Sequence, residues 1–252
     1  MSQIFRPSAN SVAKLTLIGI VIGVPTVWLA IAGLSRSPAN TKQDVPLNQP
    51  VPFSHQHHTW ELGIDCRYCH TSVEKSSYAG LPSTETCMSC HSQIWTNSPM
   101  LEPVRQSYET NTPIQWNLVN KVPQFVYFNH SIHIARGLNC NICHGPVNEM
   151  QITWKGNSFQ MAWCLQCHRA PERYLTETNK TRPGQSPREQ VFSLYWQLQE
   201  KGVRGLSIKQ RDEERGEFTG SDDAEDLAKG RELVKKYGIR TQQLADCAVC
   251  HH

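Results

Sequence analysis

The pentapeptide CRYCH at residues 66–70 sets the pattern of the whole chain, because its outline of two cysteines, two spacers and a histidine occurs five times in 252 residues. The other copies begin at Cys87, Cys140, Cys164 and Cys247, and all ten cysteines lie in these five motifs. Since a histidine directly follows each cysteine pair, the chemistry at each place needs two thiols and an imidazole.

Three common uses of paired cysteines do not account for this pattern. Disulfides would leave the five histidines unexplained. Zinc ribbons take two Cys-x-x-Cys pairs per ion, which leaves the fifth pair over, and thioredoxin-like redox pairs do not occur in fives. Covalent haem uses every residue of the motif, because two thiols bind the vinyl groups and the following imidazole reaches the iron.

The motifs therefore predict five covalently bound haems c. Their attachment residues are Cys66, Cys69, Cys87, Cys90, Cys140, Cys143, Cys164, Cys167, Cys247 and Cys250. Their proximal iron ligands are His70, His91, His144, His168 and His251.

The second axial position of each iron decides between an electron carrier and a catalyst with an open iron. Residues 53–58 and 128–133 share the outline Phe-x-His-x-x-His, and each precedes a haem motif at the same place in the repeat. Such pairs can send two imidazoles to two different haems. The expected distal ligands are therefore His55, His58, His130 and His133. His57 corresponds to Ile132 in the repeat, so we expect it to be a bystander.

The distal ligand of the fifth haem has three candidates. Met161, three residues before Cys164, is the first choice, ahead of His252 and of Met150. Methionine is often a core filler, but a thioether ligand would raise the potential of that haem above those of its bis-histidine neighbours.

An apolar run of twenty residues without a charge, 15–34, follows Arg6 and Lys14. It is long enough to span a bilayer as one helix, and it exceeds the apolar region of an ordinary signal peptide. The Ala-Ile-Ala sequence at residues 30–32 keeps a cleaved signal peptide as the alternative. Basic residues before the run predict a cytoplasmic N-terminus. We therefore expect a single-pass protein of the cytoplasmic membrane with a periplasmic haem domain.

The motifs recur about 75 residues apart, which indicates an internal duplication. The predicted organisation is a cytoplasmic stub and anchor at 1–34, an extended tether at 35–52, a first dihaem module with its connector at 53–125, a second dihaem module at 126–171, and a helical region with the fifth haem at 172–252. Helices are expected at 98–109, at 186–202, at 221–238 and from Thr241, and a strand is expected at 117–128.

Apolar residues make up only 38% of the chain, below the near-half of ordinary globular proteins, and part of them lies in the anchor. We expect the haems to fill the core. The fold class that follows is a mainly α and irregular multihaem cytochrome c with few short strands and one N-terminal transmembrane helix. A net charge of +3, with basic residues scattered among acidic ones, does not favour nucleic-acid binding.

The Phe-x-His-x-x-His outline ahead of paired haem motifs resembles the small class III and c7-type multihaem cytochromes. The larger arrangement, with an anchor, two modules, MAWCLQCHRAP at residues 161–171 and a late fifth haem, is similar to the pentahaem cytochrome subunit of alternative complex III. That resemblance implies an electron-transfer subunit, not an enzyme on its own, in a quinol-oxidising respiratory or photosynthetic complex.

The same resemblance implies the partners of the chain. They are an iron–sulfur protein related to molybdopterin oxidoreductases, polytopic quinol-binding proteins and a monohaem cytochrome, all at the lipid bilayer. Electrons would leave to a soluble electron carrier or to a terminal oxidase.

Two other functions stay open. A pentahaem reductase of the nitrite-reducing kind needs an open iron, often marked by lysine in place of the motif histidine, and all five motifs here keep the histidine. A self-sufficient NapC-type anchored quinol dehydrogenase also has one span and several haems. It binds quinol at a haem close to the membrane, whereas a tether of eighteen residues precedes the first ligand here.

Overall fold

A computed structural model describes residues 5, 6, 8–175, 186–200 and 220–251 of the chain. The chain divides into two compact units, Met1–Gln43 and Asp44–His252. The helices are α1 Ser8–Arg36, α2 Pro38–Thr41, α3 Cys66–Cys69, α4 Thr84–His91, α5 Glu102–Thr110, α6 His130–Ala135, α7 Cys140–His144, α8 Met161–Arg169, α9 Pro187–Glu200, α10 Ala224–Lys236 and α11 Cys247–Cys250. A π-helical turn forms Gln56–Glu61, and 3-10 turns form Pro99–Leu101, Val147–Glu149, Pro171–Arg173 and Thr241–Gln243.

The first unit is dominated by α1, which has 29 residues and is long and apolar enough to cross a membrane. All residues of α1 are described, and none of them is buried. The hydroxyls of Thr16 and Thr26 donate to carbonyl oxygens one turn earlier, so the helix satisfies its own polar side chains. The predicted apolar helix is confirmed.

The second unit is built from short helices because most of its regular structure is the haem motifs themselves. Asp65 accepts a hydrogen bond from the backbone N–H of Arg67 at the start of α3, and Asn139 accepts one from Ile142 at the start of α7. These side chains cap single helical turns, which would not be stable alone. Each turn places its two cysteines on one side.

The longer helices lie where the sequence predicts them. The first predicted helix is a 3-10 turn from Pro99 that continues into α5, and the helices predicted at 186–202 and 221–238 are α9 and α10. Residues 201 and 202 lie outside the described residues. From Thr241 the chain forms a 3-10 turn and then the separate α11, instead of one helix.

The strand prediction at 117–128 is wrong. The described residues contain no strand, and their β-pairing is limited to isolated bridge residues such as Pro46 and Trp154, which pair antiparallel. Residues 117–128 are irregular, because Pro123 has no N–H to give to a ladder and the N–H of Tyr127 donates instead to Cys250 O at 2.9 Å. The apolar run therefore holds the end of the chain and does not pair as a strand.

The segment predicted as an extended tether is only partly extended. It contains α2, and from Asp44 onward it contacts the haem domain. The N–H of Asp44 donates to Lys155 O at 2.9 Å, and Val51 is buried beside Leu101 and Val104.

Buried apolar side chains in the described part of the second unit form four small clusters. Three of these clusters pack against motif cysteines. The cluster around Phe192 contacts Cys66, the cluster around Val104 contacts Cys87, and the cluster around Ile142 contacts Cys143 and Cys167. A domain usually has one contiguous core, so bulky groups attached at these cysteines would complete it. The predicted fold class, mainly α and irregular with one N-terminal apolar helix, is confirmed.

Candidate haem sites

The ten motif cysteines all lie within the described residues, and none of them forms a disulfide. Among residues 8–175, 186–200 and 220–251, no group of three or more His, Cys, Asp or Glu side chains is placed to hold a metal ion by itself. A zinc site made of protein ligands needs such a group of side chains. A haem c site needs only the two thiols of a motif and the axial ligands of the iron.

Motifs from different modules meet at Cys66 and Cys140. The side chains of Cys66 and Cys140 interact. This interaction and burial both raise the pKa of Cys66 above the usual range of a thiol, whereas the interaction lowers the pKa of Cys140 against the opposing effect of its burial. The first and third motifs are therefore in direct contact, although 74 residues separate them in sequence.

The other neighbouring motifs follow from the remaining cysteines. Burial raises the pKa of Cys69, and the nearby Cys87 adds to this, so the first motif lies beside the second. Burial and the nearby Cys167 raise the pKa of Cys143, and both side chains pack against the same buried cluster, so the third motif lies beside the fourth.

The fifth motif lies at the fourth, because burial and the nearby Cys250 raise the pKa of Cys164. In space the five motifs therefore follow the order second, first, third, fourth, fifth. This order differs from the order in sequence only at one end.

Backbone carbonyls orient most of the candidate ligands. Nδ1 lies at hydrogen-bond distance from a carbonyl oxygen in His58 (Ser54, 2.8 Å), His70 (Gly80, 2.7 Å), His91 (Ile94, 3.2 Å), His130 (Ser77, 2.7 Å), His133 (Asn129, 2.7 Å), His168 (Leu244, 2.7 Å) and His251 (Phe125, 3.0 Å). A carbonyl oxygen only accepts, so Nδ1 carries the hydrogen and Nε2 keeps its lone pair for a metal.

The spacing between histidine rings fits one iron between two imidazoles. Ring centroids lie 6.2 Å apart in three pairs, His58 with His91, His130 with His144, and His133 with His168. A metal about 2 Å from the ligating nitrogen of each of two opposed rings places their centroids about 6 Å apart. The residues therefore fit haem c with two axial imidazoles.

His55 lies near His70, His58 and His144. Burial lowers the pKa of His55 to about 4, and the neighbouring His70, His58 and His144 lower it further. Burial likewise lowers the pKa of His144 to about 4. Both rings are thus neutral at physiological pH, which is the form that binds a metal. The Nδ1 atom of His55 lies 3.1 Å from the hydroxyl of Thr153.

One phenylalanine in each module separates the two histidines of its pair, a role that the sequence did not reveal. Phe53 stacks on His58, with centroids 4.5 Å apart, and meets His55 edge-on at 4.9 Å. Phe128 makes the same two contacts, at 4.5 Å with His133 and 4.8 Å with His130. The repeated outline, with phenylalanine two positions before the first histidine, was the available signal.

The fifth motif is held by the irregular segment near Phe125, through His251 Nδ1 and through the N–H of Tyr127 described above. Met161 begins α8 and is 60% exposed, one turn before Cys164. Met150 is buried, at 3% exposure, and His252 lies outside the described residues. His57 belongs to none of the ring pairs above, and its Nδ1 lies 2.7 Å from the Glu61 carboxylate.

Comparisons with known proteins agree with this geometry. Residues 126–185 match the family described as cytochrome c7 and related cytochrome c, and residues 32–112 match the class III cytochrome c family. Over 185 residues the chain is 29% identical to the multihaem cytochrome c subunit of menaquinone reductase from Nitratidesulfovibrio vulgaris strain Hildenborough, covering 65% of this chain and 84% of that protein. The predicted resemblance to class III and c7-type cytochromes is confirmed, and covalently bound haem c is the cofactor that these motifs imply.

Proposed function

We propose that this chain is a membrane-anchored pentahaem cytochrome c that relays electrons within a quinol-oxidising complex of the alternative complex III type. The observation that carries the proposal is the spatial order of the five motifs, in which each motif neighbours the next. Tyr68 of the first motif contacts Ser89 of the second at 2.8 Å, and α9 contacts both the first and the third motif. Cys143 and Cys167 pack against one cluster, and Leu244 beside the fifth motif contacts His168 of the fourth at 2.7 Å. Haem c supplies one-electron chemistry at its iron when bound. Haems held by motifs in this order would allow electrons to pass between the two ends of the row, at the second and the fifth motif.

The protein's part in this relay is to hold the axial ligands in place. The proposed axial pairs are His70 with His55, His91 with His58, His144 with His130, His168 with His133, and His251 with Met161. The spacing of three ring pairs supports the second, third and fourth assignments. The pairing of His70 with His55 rests on the nearness of these two side chains. With these ligands each iron would have both axial positions filled by side chains of this chain, which favours electron transfer over a reductase reaction.

Met161 is proposed for the fifth haem because of its position on α8. It lies three residues before Cys164, and residues at that spacing share a helix face. Cys164 in turn neighbours Cys250 of the fifth motif. A cofactor attached there would lie against the face of α8 that carries Met161, whose side chain is free to reach it.

The proposed topology places the N-terminus in the cytoplasm, α1 across the membrane and the haem domain on the periplasmic side. The basic residues Arg6 and Lys14 before the apolar helix support this orientation. The proposed partners are polytopic quinol-binding subunits, an iron–sulfur protein related to molybdopterin oxidoreductases, a monohaem cytochrome and a soluble electron carrier.

A second candidate is a complex that runs in the opposite direction and reduces quinone. The relative whose printed function is menaquinone reductase favours it. Both candidates share the haem relay and the membrane partners, and they differ only in the direction of net electron flow.

Purification of the complex through a tag on this chain tests the proposal. We expect five haems per chain, co-purification of large membrane subunits, and reduction of the oxidised haems by a menaquinol analogue in the complex but not in the isolated chain. Quinol oxidation by the isolated chain would instead identify an anchored dehydrogenase. Oxidation of the reduced haems by a menaquinone analogue, without the reverse reaction, would favour the quinone-reducing candidate.

A further inference from the structure

Helix α9 places three aromatic residues on one face, since Phe192, Tyr195 and Trp196 are three and four positions apart. Phe192 is buried and belongs to the cluster that packs against Cys66 of the first motif. The guanidinium of Arg67 lies 4.3 Å from the centre of the Phe192 ring. This face of α9 therefore covers the first haem motif.

A second contact fixes the start of the first motif to the same helix. The side chain of Trp196 lies at the carboxylate of Asp65, the residue that caps α3, and contributes to lowering the pKa of that carboxylate. Asp65 also accepts from the backbone N–H of Arg67 at 2.8 Å and from its side chain at 2.9 and 2.8 Å. The capping carboxylate is thus shared between the first motif and α9.

Tyr195 reaches the third motif from between these two contacts. Its hydroxyl accepts from the backbone N–H of Asn141 at 3.3 Å and donates to Asn141 Oδ1 at 3.2 Å. The amide of Asn141 is buried and donates to Asn148 Oδ1 at 2.8 Å. The hydroxyl of Tyr195 also lies beside the sulfur of Cys140, which meets Cys66 of the first motif.

We propose that Tyr195 is a positioning residue for the electron step between the two dihaem modules, because its hydroxyl holds the third motif in a fixed place against the first motif through α9. This inference rests on the proposed function. In the step, one electron passes between the haems of the first and third motifs, so that one iron goes from ferrous to ferric and the other from ferric to ferrous.

The local structure explains why such a clamp is needed. Each of the two motifs is little more than one helical turn, α3 and α7, and a single turn has too few internal hydrogen bonds to hold its own position. Helix α9 has 14 residues and contacts both motifs from one face. The geometry at the junction of the modules therefore depends on an element that carries no haem ligand.

The test compares Tyr195→Phe with Tyr237→Phe in the full-length chain within its complex. Tyr237→Phe is the matched control, because the Tyr237 hydroxyl also bonds to α9, donating to Gln190 Oε1 at 3.0 Å between two buried side chains. Each variant thus removes one tyrosine hydroxyl. Tyr195 belongs to α9, and Tyr237 donates a hydrogen bond to α9. Both should retain five haems.

The first readout is the split circular dichroism signal of coupled haems in the Soret region. The second readout is a redox titration of the five haems. We expect Tyr195→Phe to reduce the splitting and to shift two of the five midpoint potentials, and Tyr237→Phe to change neither. Trp196→Phe, which removes the indole at Asp65, should give the same signature and serves as the second variant if Tyr195→Phe does not assemble.

The positioning role would be overturned if both Tyr195→Phe and Trp196→Phe have the same spectra and midpoint potentials as Tyr237→Phe. In that case, wild-type quinol oxidation by the complex would leave the proposed function standing. If the wild-type complex does not react with quinol, the proposed function fails, while the dichroism comparison still decides the role of Tyr195.

Discussion

The phenylalanine between each pair of distal histidines gives the sharpest test of the ligand geometry. In Phe128→Leu, two ring contacts are lost, one stacked on His133 at 4.5 Å and one edge-on to His130 at 4.8 Å. An aromatic pair contributes about 0.5–1.5 kcal/mol beyond the area that it buries. The two contacts together then stabilise the ligating orientation of the histidines by about 1–3 kcal/mol.

This loss has a measurable consequence because about 1.4 kcal/mol corresponds to a tenfold change in an equilibrium. The fraction of molecules in which one distal ring has left its position should rise about 5- to 150-fold. Such molecules have a five-coordinate iron, which is seen as a high-spin signal in electron paramagnetic resonance and as carbon monoxide binding to the reduced protein.

The duplication supplies a matched variant. Phe53→Leu should produce the same signals from the haems served by His55 and His58, whereas Phe128→Leu affects those served by His130 and His133. Redox titration should separate the two variants, because different haems change potential. If Phe128→Leu binds no carbon monoxide and leaves every haem low-spin, the phenylalanine does not orient the ligands and the argument from ring contacts is wrong.

Three further changes test other parts of the structure. Met161→His should abolish a sulfur-to-iron charge-transfer band and lower one midpoint potential, because imidazole is the stronger donor to ferric iron. If the spectrum of Met161→His is unchanged and removal of His252 creates a high-spin haem, the ligand is His252. Gly156→Ala should destabilise the fold by about 1–3 kcal/mol, measured by thermal unfolding, because a Cβ there would lie 2.5 Å from the backbone nitrogen of Gly145; a stability equal to wild type would contradict that contact. Deletion of residues 1–34 behind a cleavable signal peptide should release a soluble pentahaem domain from the membrane fraction, and retention in the membrane would mean that another part of the chain or a partner holds it.

Much of the haem chemistry could be predicted from the sequence because it is local. A Cys-x-x-Cys-His turn attaches its cofactor with residues only four positions apart, and the paired histidines repeat with the phenylalanine that separates them. The longer helices α5, α9 and α10 also have local signals in their proline and acidic first turns and in the spacing of their apolar residues.

The arrangement of the motifs could not be predicted, because it depends on contacts between distant residues. Nothing near Cys66 indicates that it meets Cys140, and the helix that joins their motifs begins at Pro187. The acceptors of the histidine Nδ1 atoms are backbone carbonyls, which any residue type supplies. The strand prediction at 117–128 failed for the same reason, since an apolar run does not reveal that its partner is the fifth motif.

The spatial order of the motifs explains how a duplicated dihaem module becomes a longer relay. The two modules meet through their first motifs, at Cys66 and Cys140, so their second motifs point to opposite ends of the row. The fifth motif extends only the end at the fourth. The fifth motif also contacts the fourth, because Leu244 lies just before the fifth motif and its carbonyl oxygen is 2.7 Å from Nδ1 of His168 in the fourth motif. If the proposed ligands are right, the segment that carries the fifth motif also orients the histidine of the fourth motif. Removal of that segment should therefore change the spectrum and the midpoint potential of the haem at the fourth motif.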